Sequence, residues 1–323
     1  MNRSIELLRS AMPWQYKRAG HTLWWLLVAM VAPVIWGSTY VVTTEMLPAD
    51  SPLMAAVFRA LPAGLLLLFF TRVLPQGRWW LRTLILGVLN IGGFFYCLFV
   101  TAYQLPGSVA ALVMSSQPIL VMILGALFLK ESLKLNQFIA CLTGIAGLSI
   151  LVLEPSMVLP AQGVLAGLAG AASMATGLVL TKKWGKPEGV SVATFTGWQL
   201  TVGGLFLLPF GLIQEGLPAT FTVNNLLGYG YLSLVGALLA YLIWFKAIEQ
   251  LPVFSVSFVS FASPLSAALL GYFILDETLT FNQLLGAGAI VLAIVISQRH
   301  AFAPSKVAGS STKTHNQLSS KPS

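Results

Sequence analysis

One arginine stands inside an otherwise apolar run, MAAVFRALPAGLLLLFF (54–70). A guanidinium offers five N–H donors, accepts nothing and keeps its charge. In hydrocarbon such a group costs several kcal/mol, on the order of 3 at a helix centre by insertion scales, and so marks a functional position. Arg59 could take a substrate carboxylate. It could equally tie down backbone carbonyls or sit on an aromatic face, and the residues leave both roles open. Two prolines, Pro118 and Pro264, interrupt other apolar runs. Proline has no N–H, so each releases the carbonyl four residues earlier, those of Met114 and Ser260. Ser115, Ser116, Gln117, Ser260 and Ser263 surround these breaks. Broken helices with accessible backbone line the cavities of membrane carriers. Trp36, Tyr40, Asn90, Tyr96, Trp198, Gln199 and Tyr241 complete the candidate lining. Trp36 and Asn90 stand out because more than two turns separate them from either end of their runs.

The missing residue types narrow the chemistry. No Asp, Glu or His lies well inside an apolar run, so an in-membrane proton relay is not expected. Glu249 beside Lys246 is the nearest candidate, and a surface pair is the plainer reading. Cys97 and Cys141 lie in apolar runs without metal or redox spacing. HExxH, GxSxG and nucleotide-loop motifs are absent. No enzyme, no metal and no cofactor is expected. The partner is then a small molecule. Without an embedded acid the chain is a poor selector of organic cations, and one arginine is thin for phosphorylated sugars. A neutral or zwitterionic metabolite fits best.

The elements that must position these groups follow from composition. Of 323 residues, 57% are hydrophobic and 9% charged, with a mean hydropathy of +0.83. Soluble domains carry about 25% charged residues. Apolar runs of about 20 residues recur, each long enough to cross a hydrocarbon core as a helix. The fold class expected is an all-α membrane protein of about ten transmembrane helices, embedded in lipid. Runs bounded by charge, Pro and Gly put spans at 23–43, 53–72, 82–101, 107–129, 136–153, 161–181, 191–213, 225–245, 253–275 and 281–298. Residues 1–22 read as a basic cytoplasmic N-terminus, not a cleaved leader, because WGSTYVV continues the first run without a small-residue cleavage site. Residues 299–323, rich in Ser, Lys and Thr, read as a disordered cytoplasmic tail.

Charge gives the orientation. With the N-terminus in the cytoplasm, all basic residues but Arg59 fall on inside segments, while Glu45, Asp50, Glu154, Glu215, Asp276 and Glu277 fall outside. The net charge of +8 therefore describes membrane topology and does not point to nucleic acid. The chain also repeats. SSQPILVMILGALFLKESLKLNQ (115–137) aligns with FASPLSAALLGYFILDETLTFNQ (261–283) at an offset of 146. A weaker match at offset 140 pairs 51–64 with 191–204, which sets Arg59 against Gln199. Residues 23–153 and 154–298 are then two five-helix halves. Five is odd, so the halves are inverted with respect to each other. Inverted repeats place a binding site at their interface near the bilayer midplane and work by alternating access.

PVIWGSTYVV (33–42), AAVFRALPAGLLLL (55–68) and the two P-x(6)-G-x(3)-L-x-E units resemble the EamA-type drug/metabolite transporter superfamily over about residues 24–298. The resemblance implies a ten-span carrier of the bacterial inner membrane, multi-pass, exporting amino acids, their derivatives or toxic compounds. It also implies an arginine in the second-span motif. A facilitative channel or uniporter, or a drug exporter, is the alternative expectation. The chain could act as a monomer or a homodimer.

Overall fold

The computed structural model describes residues 2–130, 135–152, 160–218, 220–274 and 281–298. The tail from 299, the LKESLK and LDETLT loops and the boundary near 153/154 lie wholly or mostly outside the described residues. Those residues are helical and contain no strand. In chain order the helices are α1 (Asn2–Met46), α2 (Pro52–Thr71), α3 (Trp79–Gln104), α4a (Gly107–Met114), α4b (Gln117–Leu129), α5 (Leu135–Val152), α6 (Ala161–Trp184), α7 (Val192–Gln214), α8 (Val223–Gln250), α9a (Val253–Val259), α9b (Ala262–Ile274) and α10 (Phe281–Gln298). Eight apolar stretches among them are long enough to cross a membrane, including Val109–Leu129 and Val253–Leu270 across the breaks. The remaining two, Leu135–Ile150 and Leu284–Ser297, are apolar but shorter. Helices dominate because each satisfies its own backbone hydrogen bonds where water is absent. Phe69, Phe70, Leu127 and Ile213 face outward, as an apolar solvent allows.

Packing follows the internal repeat. α1 packs on α8 and α9b, as α6 packs on α3 and α4b. α2 pairs with α7, and α5 with α10, so each of these helices meets its own counterpart. The α2/α7 seam is antiparallel. A Cβ on Gly64 would meet Thr201, and one on Gly204 would meet Leu61 at 2.8 Å. Further along, Gly197 faces Leu67 and Gly211 faces Met54. Contacts whose residue numbers rise on one helix while falling on the other define antiparallel neighbours. Two copies related this way are inverted.

Two features of α3 and α8 were not legible as sequence. Val88–Gly92 and Leu234–Leu239 are π-helical, and their starts are separated by the repeat offset of 146. In the second, the Ala240 amide donates to Val235 and Ala237 and skips the carbonyl of Gly236. In the first, the Gly93 amide reaches back to Val88. Such bulges recur at functional sites.

The breaks in α4 and α9 fall at residues 115–116 and 260–261. Pro118 and Pro264 therefore stand in the first turn of a new helical piece, where a missing N–H is tolerated. The expectation that Ser260 offers a free carbonyl is corrected: it accepts the Ser263 amide at 3.0 Å. Similar i→i+3 bonds run from Ser116 to Val113 (3.2 Å), from Ile119 to Ser116 (3.1 Å) and from Phe261 to Phe258 (3.2 Å). Tight turns re-satisfy the backbone that proline releases.

The two ends of the bundle differ chemically. At one end Lys182 Nζ donates to the carbonyls of Ile248 (2.7 Å) and Leu251 (2.9 Å), and Lys186 faces Glu249 (3.7 Å). Arg82 lies over Trp184 and Lys183 over Phe128. At the other end the Glu215 carboxylate accepts the amides of Leu53 (2.9 Å) and Met54 (2.8 Å). It caps α2 from the other half of the chain, where the local N-cap Ser51 makes no such bond. Asn224 and Asn225 donate to the carbonyls of Glu45 and Met46, and Tyr103 to that of Pro48.

Candidate functional site

A cavity of about 60 Å³ lies where α1, α2, α3, α4, α6 and α9 meet. Arg59 reaches it from α2, Trp36, Thr39 and Tyr40 from α1, and Phe94 and Leu98 from α3. Met114, Ser115 and Gln117 come from the α4 break, and Ser260, Ser263 and Pro264 from the α9 break. The two interrupted helices thus deliver hydroxyls and an amide to the same space. Positions 36, 39 and 40 share one helix face because side chains three and four apart lie above one another.

Arg59 is 1% exposed. Its Nη2 donates to the Gly236 carbonyl at 3.1 Å and its Nη1 to Thr39 Oγ1 at 3.3 Å. Its guanidinium carbon sits 4.4 Å from the centre of the Phe95 ring. The Gly236 carbonyl also accepts Trp36 Nε1 at 3.0 Å. The π-helical segment of α8 therefore supplies the acceptor that holds the arginine. Among the described residues the ion pairs are those of Glu249 with Lys186 and Lys246, so Arg59 has no acidic partner there. Arg59 Nε and Gln117 Nε2 are buried without a hydrogen-bond partner.

The counterpart half is wired similarly. Gln199, matched to Arg59 by the repeat, accepts Asn90 Nδ2 at 2.7 Å. Asn90 lies in the π-helical segment of α3 and is the counterpart of Gly236 at offset 146. Asn90 Nδ2 also donates to Thr181 Oγ1 (3.0 Å), and the Asn90 carbonyl accepts Tyr241 Oη (3.3 Å). Asn90, Gln199 and Tyr241 are all 0% exposed. Gly177 is required here, because any Cβ would strike Asn90 Oδ1. The Tyr241 ring stands 5.2 Å from Trp36 and 5.6 Å from Phe245. Phe245 lines a second pocket of about 240 Å³, near Lys182, Lys186 and Glu249. Thr181 belongs to both the network and that pocket. A polar layer of Asn90, Gln199, Thr181 and Tyr241 thus lies between the central cavity and the basic end.

Of the residues singled out from sequence, Trp36, Tyr40, Arg59, Gln117, Ser263 and Pro264 line the cavity. Asn90, Gln199 and Tyr241 form the adjoining layer. Pro118 is buried beside Gln117 without lining the space. Two lie elsewhere. Tyr96 is 37% exposed. Trp198 donates to the Val73 carbonyl at 2.7 Å and packs with Leu86 and Phe195 near the basic end. Tyr96 is turned outward and Trp198 is buried in a separate cluster, distinctions that a list of polar and aromatic residues does not resolve. Sequence reading missed Thr39, Phe94, Met174 and the Gly236 carbonyl. Helical spacing from Trp36 would have found Thr39. The Gly236 carbonyl left no side-chain signal.

Comparisons with known proteins place this geometry. The model of the EamA-like transporter family matches residues 23–153 and again 161–298. Protein PecM of Dickeya dadantii is 47% identical over 270 residues, covering 84% of this chain and 91% of that protein. The "Uncharacterized inner membrane transporter YedA" of Escherichia coli K12 is 29% identical, covering 81% and 87%. A "Probable amino-acid metabolite efflux pump" of Salmonella typhimurium is 27% identical, covering 84% and 93%. A solved crystal structure superposes with a TM-score of 0.71 at 18% identity, covering 86% of this chain and 99% of that one, which establishes the fold alone.

Proposed function

Because the chain belongs to the EamA-like transporter family, we propose that it is a ten-span secondary carrier of two inverted halves, 23–153 and 154–298, exporting small metabolites across the bacterial inner membrane by alternating access. Amino acids or their derivatives, neutral or zwitterionic, are the cargo class that this reading carries. The name of the Salmonella relative agrees with it. The observation that carries the proposal is the central cavity: it joins residues of both halves at the two broken helices and holds a buried arginine. Ligand pockets usually measure about 300–1,000 Å³. At about 60 Å³ this cavity is smaller than such pockets, and a rocking motion of one half against the other would enlarge it.

The basic end is cytoplasmic in this reading, with both termini inside. Single cysteines replacing Lys130 and Asp276 should label from opposite faces of the membrane. Same-side labelling would end the inverted-repeat reading. For function, the chain is overexpressed and deleted in cells challenged with amino acids and metabolite analogues. Overexpression should raise tolerance and lower intracellular accumulation of the exported compounds. Unchanged accumulation across the panel would refute export of this class.

A further inference from the structure

The walls of the central cavity hold two buried polar atoms without a partner, Arg59 Nε and Gln117 Nε2, and both are donors. Among the described residues no unpartnered buried acceptor lies on the same wall. An unsatisfied buried donor needs an explanation, and a bound group is one. Here one of the two donors carries a full charge with no acid in reach among the described residues. The remaining side-chain polar groups of the lining residues are Gln117 Oε1, the Trp36 indole, which donates to the Gly236 carbonyl, and hydroxyls. Ser115 Oγ and Ser260 Oγ are already committed as donors to the carbonyls of Ala111 and Ser257. Trp36, Phe94, Leu98, Met114 and Met174 supply an apolar and aromatic surround of low dielectric.

Resting on the carrier reading, but replacing its neutral or zwitterionic cargo by an anionic one, we propose that this site selects an organic monoanion: a carboxylate on a small molecule that bears no ammonium group. The carboxylate offers about four lone-pair sites, enough for Arg59 Nε and Gln117 Nε2 together. Its charge neutralises the guanidinium, which the Gly236 carbonyl and the Phe95 face hold by dipole and quadrupole only. A zwitterion would bring a second charge into the same space, where no described carboxylate neutralises it and only hydroxyl and amide oxygens could receive it, so the site would keep a net positive charge. Among amino-acid derivatives, the amine-blocked or deaminated forms therefore fit better than the free amino acids.

The test uses the purified full-length carrier and four charge forms each of phenylalanine, leucine and serine. These are the N-acetyl acid (anion), the free amino acid (zwitterion), the N-acetyl amide (neutral) and the amino amide (cation). Affinity is read from concentration-dependent thermal stabilisation and from competition in proteoliposome efflux. The N-acetyl acid should bind at least roughly tenfold more tightly than the matched zwitterion, the ratio expected when an ammonium is desolvated without a charged partner. Arg59→Gln should erase that preference. Gln117→Leu, which keeps the charge, should weaken binding of the N-acetyl acid and the zwitterion alike, since both present the carboxylate. A zwitterion that binds as well as or better than its N-acetyl acid overturns the proposal with wild-type protein alone, whatever the folding of the variants. A preference that survives Arg59→Gln overturns it as well. Should none of the twelve compounds bind, the amino-acid-derived cargo class falls, and this proposal with it.

Discussion

Replacing Gly64 by alanine tests the seam on which the two halves meet. An ideal Cβ at Gly64 would sit 2.5 Å from Thr201 Oγ1 and 2.8 Å from the Leu200 carbonyl carbon, with the Thr201 amide nitrogen nearer still. Ordinary van der Waals contact begins near 3.4 Å. The added carbon is therefore about 1 Å too deep, and the atoms it meets are mostly helix backbone, which cannot rotate away. α2 and α7 must separate along their length, through Gly64, Gly197, Gly204 and Gly211. Overpacking of this kind costs about 1–3 kcal/mol. At Gly230, by contrast, an added Cβ would meet nothing within 4 Å. Alanine there removes a flexible residue from a helix interior, so stability should hold or rise by about 0.5–1 kcal/mol. The assay is the midpoint of thermal aggregation of detergent-solubilised protein, with Gly64→Ala, Gly204→Ala and Gly230→Ala compared side by side. The first two should fall together, since they are counterparts at offset 140, and the third should not. If Gly64→Ala is as stable as Gly230→Ala, the close α2/α7 approach is wrong, and with it the antiparallel pairing of the two halves.

Four further substitutions test the site and its surroundings. Arg59→Ala should reduce transport more than Gln199→Ala, measured as efflux from loaded proteoliposomes; equal losses would mean that the cation has no special part. Asn90→Ala removes the donor to Thr181 Oγ1 and Gln199 Oε1 in a buried layer and should lower stability by about 2 kcal/mol, read from the same thermal midpoint, with no change contradicting the network. Glu215→Gln weakens the carboxylate cap on the Leu53 and Met54 amides. A loss of about 1 kcal/mol is expected, with faster labelling of a cysteine at Tyr40 from the acidic end of the bundle; unchanged labelling would show that this contact does not close that end.

Much of the molecule was decided by the sequence alone. Apolar run length sets the helices, because a lipid-exposed backbone must satisfy itself, and the charged loops set their alternation. The repeats at offsets 146 and 140 carry the pairing of α2 with α7 and of Arg59 with Gln199, since duplicated chains keep equivalent positions. The type of the buried charge was equally legible: nothing else in the spans resembles Arg59. What only the tertiary structure decided is how each side chain is turned and what backbone it meets. Tyr96 and Trp198 share their residue types with Tyr40 and Trp36 but point elsewhere, because a helix presents all phases and only its neighbours select one. The π-helical segments of α3 and α8 are main-chain events without a residue signature. They bring the Gly236 carbonyl to Arg59 and the Asn90 carbonyl to Tyr241 across the two halves. The orphaned donors of Arg59 and Gln117 likewise exist only in three dimensions, because a hydrogen bond is missing only once every nearby acceptor has been placed.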